Sequence, residues 1–187
     1  MKRIGLIWLG GLAAMVGGVV YAALGLLMGF GAQLFYVLLG IGAMGAIAAL
    51  HALQRRHYGL SGAVASMTTF VGVAMIVVSE FAGALGYAME AAGIILFLAG
   101  LLVAFAGTLA LGAVTVAVRV LPLWCGAALI VGSFGFVGEL VGGWIIGASG
   151  AGYFNTMVLL EAVPWVLVGY AVLRAGARLS EQPSRVR

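Results

Sequence analysis

All five acidic residues of this 187-residue chain are glutamates, and three of them, Glu80, Glu139 and Glu161, stand inside long apolar runs. An ionised carboxylate is costly to bury away from water unless something compensates it. A carboxyl group inside a membrane helix is therefore rare and by default a candidate for binding a proton or a cation. The spacing around these residues supports that reading. Ser66, Thr69, Ile76, Glu80, Gly83 and Tyr87 recur at three- and four-residue intervals and share one helical stripe. Ala128, Gly132, Gly135, Glu139 and Gly142 form a second stripe of the same kind. Small and polar residues on one stripe mark the side that packs against other helices, so Glu80 and Glu139 are expected to face a bundle interior. Pro164 follows Glu161 by one helical turn and, lacking an N–H, frees the carbonyl of Leu160 beside it.

No Lys or Arg is placed to neutralise these three groups. Three ionised carboxylates close together in a low dielectric would be prohibitively unfavourable. Either most of them carry their proton at neutral pH, or a cation sits among them. The competing reading is that each protonated Glu is a structural post, hydrogen-bonded to a neighbouring helix.

Other residues with chemical potential are weaker candidates. His51 and His57 sit in or beside one short turn, where they do not present opposed axial ligands to a haem. No metal and no cofactor is expected. Cys125 is the one cysteine, which excludes an internal disulfide and a cysteine metal cluster. No base accompanies it or any Ser or Thr in the sequence, so nucleophilic catalysis lacks support and the chain is read as a non-enzyme. The Gly132-x-x-Gly135-x-x-Gly138 run lacks the Gly-Lys-Ser/Thr ending of a phosphate loop.

The elements that must position the glutamates follow from composition. Hydrophobic residues make up 65% of the chain, Gly adds 31 residues, and only 7% are charged, against about 25% in soluble domains. A water-soluble shell cannot be built from this material, which excludes a soluble enzyme and a nucleic-acid binder. A bilayer core about 30 Å thick takes roughly 20 apolar residues as helix, and breaks in the pattern divide the chain into six such runs. The expected spans are Ile4–Gly29, Leu34–Leu53, Leu60–Gly86, Ala91–Val118, Leu123–Gly147 and Tyr153–Leu173. Segments of alternating polarity, the mark of a membrane β-barrel, are missing. The fold expected is thus an all-α, six-helix polytopic membrane bundle over residues 1–173, with a basic tail over 174–187. Spans two and four, almost free of polar side chains, are expected to face lipid. The Lys2-Arg3 start resembles a signal peptide, but its apolar run is far longer than a signal core of about 7–15 residues and reads as an uncleaved first helix.

The basic residues test this division independently. Lys2, Arg3, Arg55, Arg56, Arg119, Arg174, Arg178, Arg185 and Arg187 all fall on one side of a six-span arrangement. Basic residues stay cytoplasmic, so both termini are expected inside. Measured by helical rise, Glu80, Glu139 and Glu161 then lie at a common level, roughly 9–12 Å below the outer surface; Glu90 sits at the outer mouth of span four. Trp124 and Tyr58 would belong to the inner aromatic belt, and Tyr36, Tyr87, Trp144 and Tyr153 to the outer one.

The loop from Gln54 to Gly62 (QRRHYGLSG) and the later Arg119-Val120-Leu121-Pro122-Leu123-Trp124 resemble the inner loops of small, uncharacterised six-helix bacterial inner-membrane proteins. That resemblance implies a bacterial inner-membrane location and carries no activity or functional residues. A buried Glu near aromatics is also similar in kind to small multidrug transporters, although those have four spans and a different pattern. Two functions stay open: a small transporter or ion pathway with Glu80, Glu139 and Glu161 as its proton or cation site, or a non-catalytic accessory subunit of a membrane assembly. The expected partners are the lipid bilayer, a proton or small cation, and other membrane proteins or a second copy of the chain.

Overall fold

The computed structural model describes residues 2–28, 33–85, 91–145, 147 and 151–181. These residues form six long helices, each long and apolar enough to cross a membrane. They are α1 (Lys2–Met28), α2 (Gln33–Gln54), α3 (Gly59–Ala84), α4 (Ala91–Val118), α5 (Leu123–Gly138) and α6 (Ala151–Glu181). A bilayer offers no water to unpaired backbone groups, so a spanning chain closes its hydrogen bonds within each helix. Large apolar side chains such as Leu9, Leu27, Leu60 and Met67 project outward, which suits acyl chains and not water.

The expected spans recur with shifted ends. The sixth helix runs past Leu173 to Glu181, so Arg174 and Arg178 stand on ordered helix. It passes through Pro164 without interruption. The fifth changes character near its end: from Glu139 to Ile145 the α-helix widens into a π-helix. Periodicity alone does not reveal such a change, because it adds less than one residue per turn.

Two turns depend on unusual backbone. After α2, the amide of Arg55 donates to the carbonyl of His51 and that of His57 to Gln54, and Gly59, with φ of 58°, reverses the chain into α3. α4 ends on Arg119, whose φ of 52° is left-handed, a conformation that costs a side-chain-bearing residue about 1 kcal/mol or more. Pro122 then starts α5.

The helices form a ring in chain order. Each packs against its neighbours in sequence, α1 closes against α6, and α2 also touches α6 across the interior. The expectation that α2 faces lipid is overturned. Its apolar stretch is 61% buried, the highest share of the six, against 39% for α1, α3 and α4. Small residues explain this: Gly42 packs on the backbone of Ala13 and Gly10 on that of Gly45, so α1 and α2 meet backbone to backbone. A helix with few polar side chains is still an interior helix when its faces are this small. α4 is closer to expectation, exposing Ile95 and Leu102 on one side while Gly107 lies against the backbone of Thr69 on the other.

Because the helices alternate in direction, the start of α1, the α2–α3 and α4–α5 turns and the end of α6 share one end of the bundle, here the basic end. Glu80, Glu139 and Glu161 lie toward the far end.

Candidate carboxylate site

The α5–α6 contact assembles the site. The stripe of Gly132, Gly135 and Glu139 on α5 turns toward α6. Gly132 receives the ring of Pro164, and Gly135 receives the Cγ of Glu161; a Cβ at Gly135 would stand 2.7 Å from that atom. The missing side chain is what lets Glu161 pass α5 and reach the interior. Glu139 sits one turn beyond Gly135, where the π-helix begins, so the two carboxyl groups come to the same place. Both are enclosed: Glu139 is 4% exposed and Glu161 2%.

Each carboxyl has its own phenol. Tyr21 of α1 donates to Oε2 of Glu161 at 2.7 Å, and Tyr36 of α2 donates to Oε1 of Glu139 at 3.2 Å. The two tyrosine rings meet edge to face, with centroids 5.2 Å apart. Four helices therefore converge on one polar cluster. The remaining oxygens, Oε2 of Glu139 and Oε1 of Glu161, have no hydrogen-bond donor. Two ionised groups here would repel in a low dielectric with nothing to offset them.

Beside the pair is a cavity of about 20 Å³, enough for the centre of roughly one water molecule. Glu139, Glu161, Tyr36, Phe136, Leu101 and Trp165 are among its walls, and among the described residues no basic side chain lines it. Tyr153 completes the frame from α6, donating at 2.7 Å to the carbonyl of Gly138 where α5 gives way to the π-helix.

Glu80 does not join the pair. It is buried on α3, one turn beyond Ile76, which does line the cavity. Among the described residues no three of His, Cys, Asp and Glu gather as a metal site would require. The common level inferred from sequence thus resolves into a pair and an outlying third group. Glu90 and Tyr87 lie outside the described residues, as does the side chain of Trp144.

Sequence reasoning missed the phenols. Tyr36 was expected in an interfacial belt and instead hydrogen-bonds Glu139; Tyr153 was expected there and instead donates to Gly138. Tyr21 is 2% exposed and carries the shortest bond to the site. The available signal was a lone phenol in the apolar middle of α1, a group that needs a partner when buried.

A second polar cluster occupies the basic end. Tyr58, also expected in a belt, is buried with its ring over Gly62. Its hydroxyl lies 2.6 Å from Nδ1 of His51 and 3.2 Å from Oγ of Ser66. Burial pushes the Tyr58 phenol above its usual range, so it keeps its proton at neutral pH. Thr115 donates to Oε1 of the fully buried Gln54 at 3.3 Å. His57 is exposed in the turn. Trp124, stacked on Tyr170, is partly exposed, as an interfacial aromatic should be.

Comparison of the chain with protein-family models, with curated proteins and with solved structures finds no match, so the assignable class is the six-helix, apolar, membrane-spanning bundle itself.

Proposed function

We propose that the chain is a small, non-enzymatic transporter or ion pathway of the bacterial inner membrane in which Glu139 and Glu161 bind and release a proton. The observation that carries this reading is the buried pair: two carboxyls from different helices, one oxygen of each without a donor, and no basic side chain beside them. Tyr21 and Tyr36 orient the carboxyls, and the water-sized cavity is the place from which a proton is exchanged. Loss of a proton from the pair changes the charge of a nearly dry site, which alters how the four helices around it pack. A π-helix begins on Glu139, and π-turns inside α-helices are frequent at functional sites. Glu80, buried on α3 one turn beyond the cavity-lining Ile76, is the next carboxyl that such a path would use. The placement of the basic residues supports an orientation with both termini in the cytoplasm and the pair opening outward.

One observation favours a second reading, an accessory subunit with the pair as an internal lock. The cavity admits about one water, and each carboxyl already has a phenol donor. A flux measurement separates the two. In liposomes holding a pH-sensitive dye, a potassium diffusion potential should drive proton entry at least tenfold faster with native protein than with lipid alone. Glu139→Gln and Glu161→Gln should return that rate to background with folding intact. Native protein that matches protein-free liposomes would remove the transport reading. Normal flux in both variants would remove the pair as its site.

A further inference from the structure

The basic end contains a second, larger concavity that the carboxylate site does not use. Its volume is about 560 Å³, within the range of about 300–1,000 Å³ typical of small-molecule sites. Helices α1, α2, α5 and α6 frame its mouth, and the α4–α5 turn edges it at Val120, Leu121 and Pro122. Three guanidinium groups line it: Arg56 from the α2–α3 turn, and Arg174 and Arg178 from α6. The last two are four residues apart and so stand on one face of the helix. His57 and Trp124 complete the polar rim, while Ile4, Ile7 and Leu53 line the apolar wall. Among the described residues that line it there is no carboxylate.

Positive-inside charge by itself does not require this arrangement. Arg55 and Arg119 lie at the same end, are exposed, and do not line the concavity. Three of the basic residues converge on one apolar hollow while these two stay apart from it. Guanidinium is planar and offers paired N–H donors that match two oxygens of a phosphate group. Apolar walls below a cluster of such donors fit a molecule with an anionic head and a hydrocarbon body. A tryptophan at the rim is the side chain that favours headgroup depth, and basic pockets between spanning helices are suited to anionic lipid heads.

The geometry points to a binding site for an anionic phospholipid, its phosphate held by Arg56, Arg174 and Arg178 and its acyl chain along Ile4, Ile7 and Leu53. The lipid bilayer is the source of this ligand, and the site lies at the depth where such a headgroup resides. A free phosphate would engage the same guanidiniums but leave the apolar wall empty.

Native mass spectrometry of the full chain in a neutral detergent tests this, with phosphatidylglycerol, phosphatidylcholine and inorganic phosphate as separate probes. Phosphatidylglycerol should bind at least tenfold more tightly than phosphatidylcholine. The Arg174→Gln/Arg178→Gln double variant should lose that preference, and Arg56→Gln, in the turn and outside α6, should weaken it about fivefold. Arg55→Gln and Arg119→Gln should leave it unchanged, because they remove the same charge from the same end without touching the site. Equal binding of the two lipids, native behaviour in the double variant, or equal losses in all five substitutions would overturn the proposal. Inorganic phosphate that displaces the lipid at equal concentration would overturn the lipid assignment and leave a soluble phosphate ester as the ligand.

Discussion

The two polar clusters use similar groups to different ends. At the basic end, Tyr58, His51 and Ser66 form a hydrogen-bonded set beside an exposed turn, with arginines close by. Toward the far end, Tyr21 and Tyr36 serve a pair of carboxyls enclosed on every side by helices, with no basic neighbour lining the cavity. A phenol whose partner is half-buried, as His51 is, can yield that partner to water at little cost. A phenol that orients a buried carboxyl cannot, because the group it abandons stays in the dry interior. The difference lies in what surrounds each cluster and not in the residues that compose it. It separates polarity that holds a turn in shape from polarity whose charge state the fold must manage.

Three substitutions sharpen or break this contrast. The largest effect is expected from Gly135→Val. Its Cβ would meet the Cγ of Glu161 at 2.7 Å, and overpacking of this kind costs about 3 kcal/mol. The unfolding midpoint in mixed detergent should fall sharply, and a near-native midpoint would mean that the α5–α6 approach is looser than described. Tyr21→Phe comes next. It removes the 2.7 Å bond to Glu161 and strands a second carboxyl oxygen in the core, a loss of about 2 kcal/mol. Tyr58→Phe should cost least, about 0.5–1 kcal/mol, since His51 is only half-buried and water can replace the lost donor. The same chemical change at two ends thus gives two sizes of effect. Equal losses for Tyr21→Phe and Tyr58→Phe would erase the distinction between a closed site and an open one.

Much of the architecture was legible from residue types. Six apolar runs became six helices because each run is long enough to span lipid and must close its own hydrogen bonds. The stripe of Gly132, Gly135 and Glu139 also read correctly as an inward face, since residues of minimal size mark where backbones approach. The reading of α2 failed for an instructive reason. Its burial comes from Gly42 and Gly45, which meet the backbone of α1, and from Gly40, which receives the side chain of Val77, while the reading gave weight only to polar side chains. The phenols were misread because an aromatic near a helix end is compatible with both an interface and an interior partner. Which applies to Tyr36 depends on the direction α2 faces, and that is set by α1 and α6 together.

Length, apolar content and the one-sided distribution of Lys and Arg determined a six-span membrane chain with carboxyl groups in its interior, because solvation depends on local composition. Only the tertiary structure decided that Glu139 and Glu161 meet while Glu80 remains a turn outside, and that Tyr21 and Tyr36 come from two other helices to hold them. Helical rise gives the depth of a residue along its own axis. The rotation of that helix against its neighbours, on which every contact across the bundle depends, is settled by how all six surfaces pack at once.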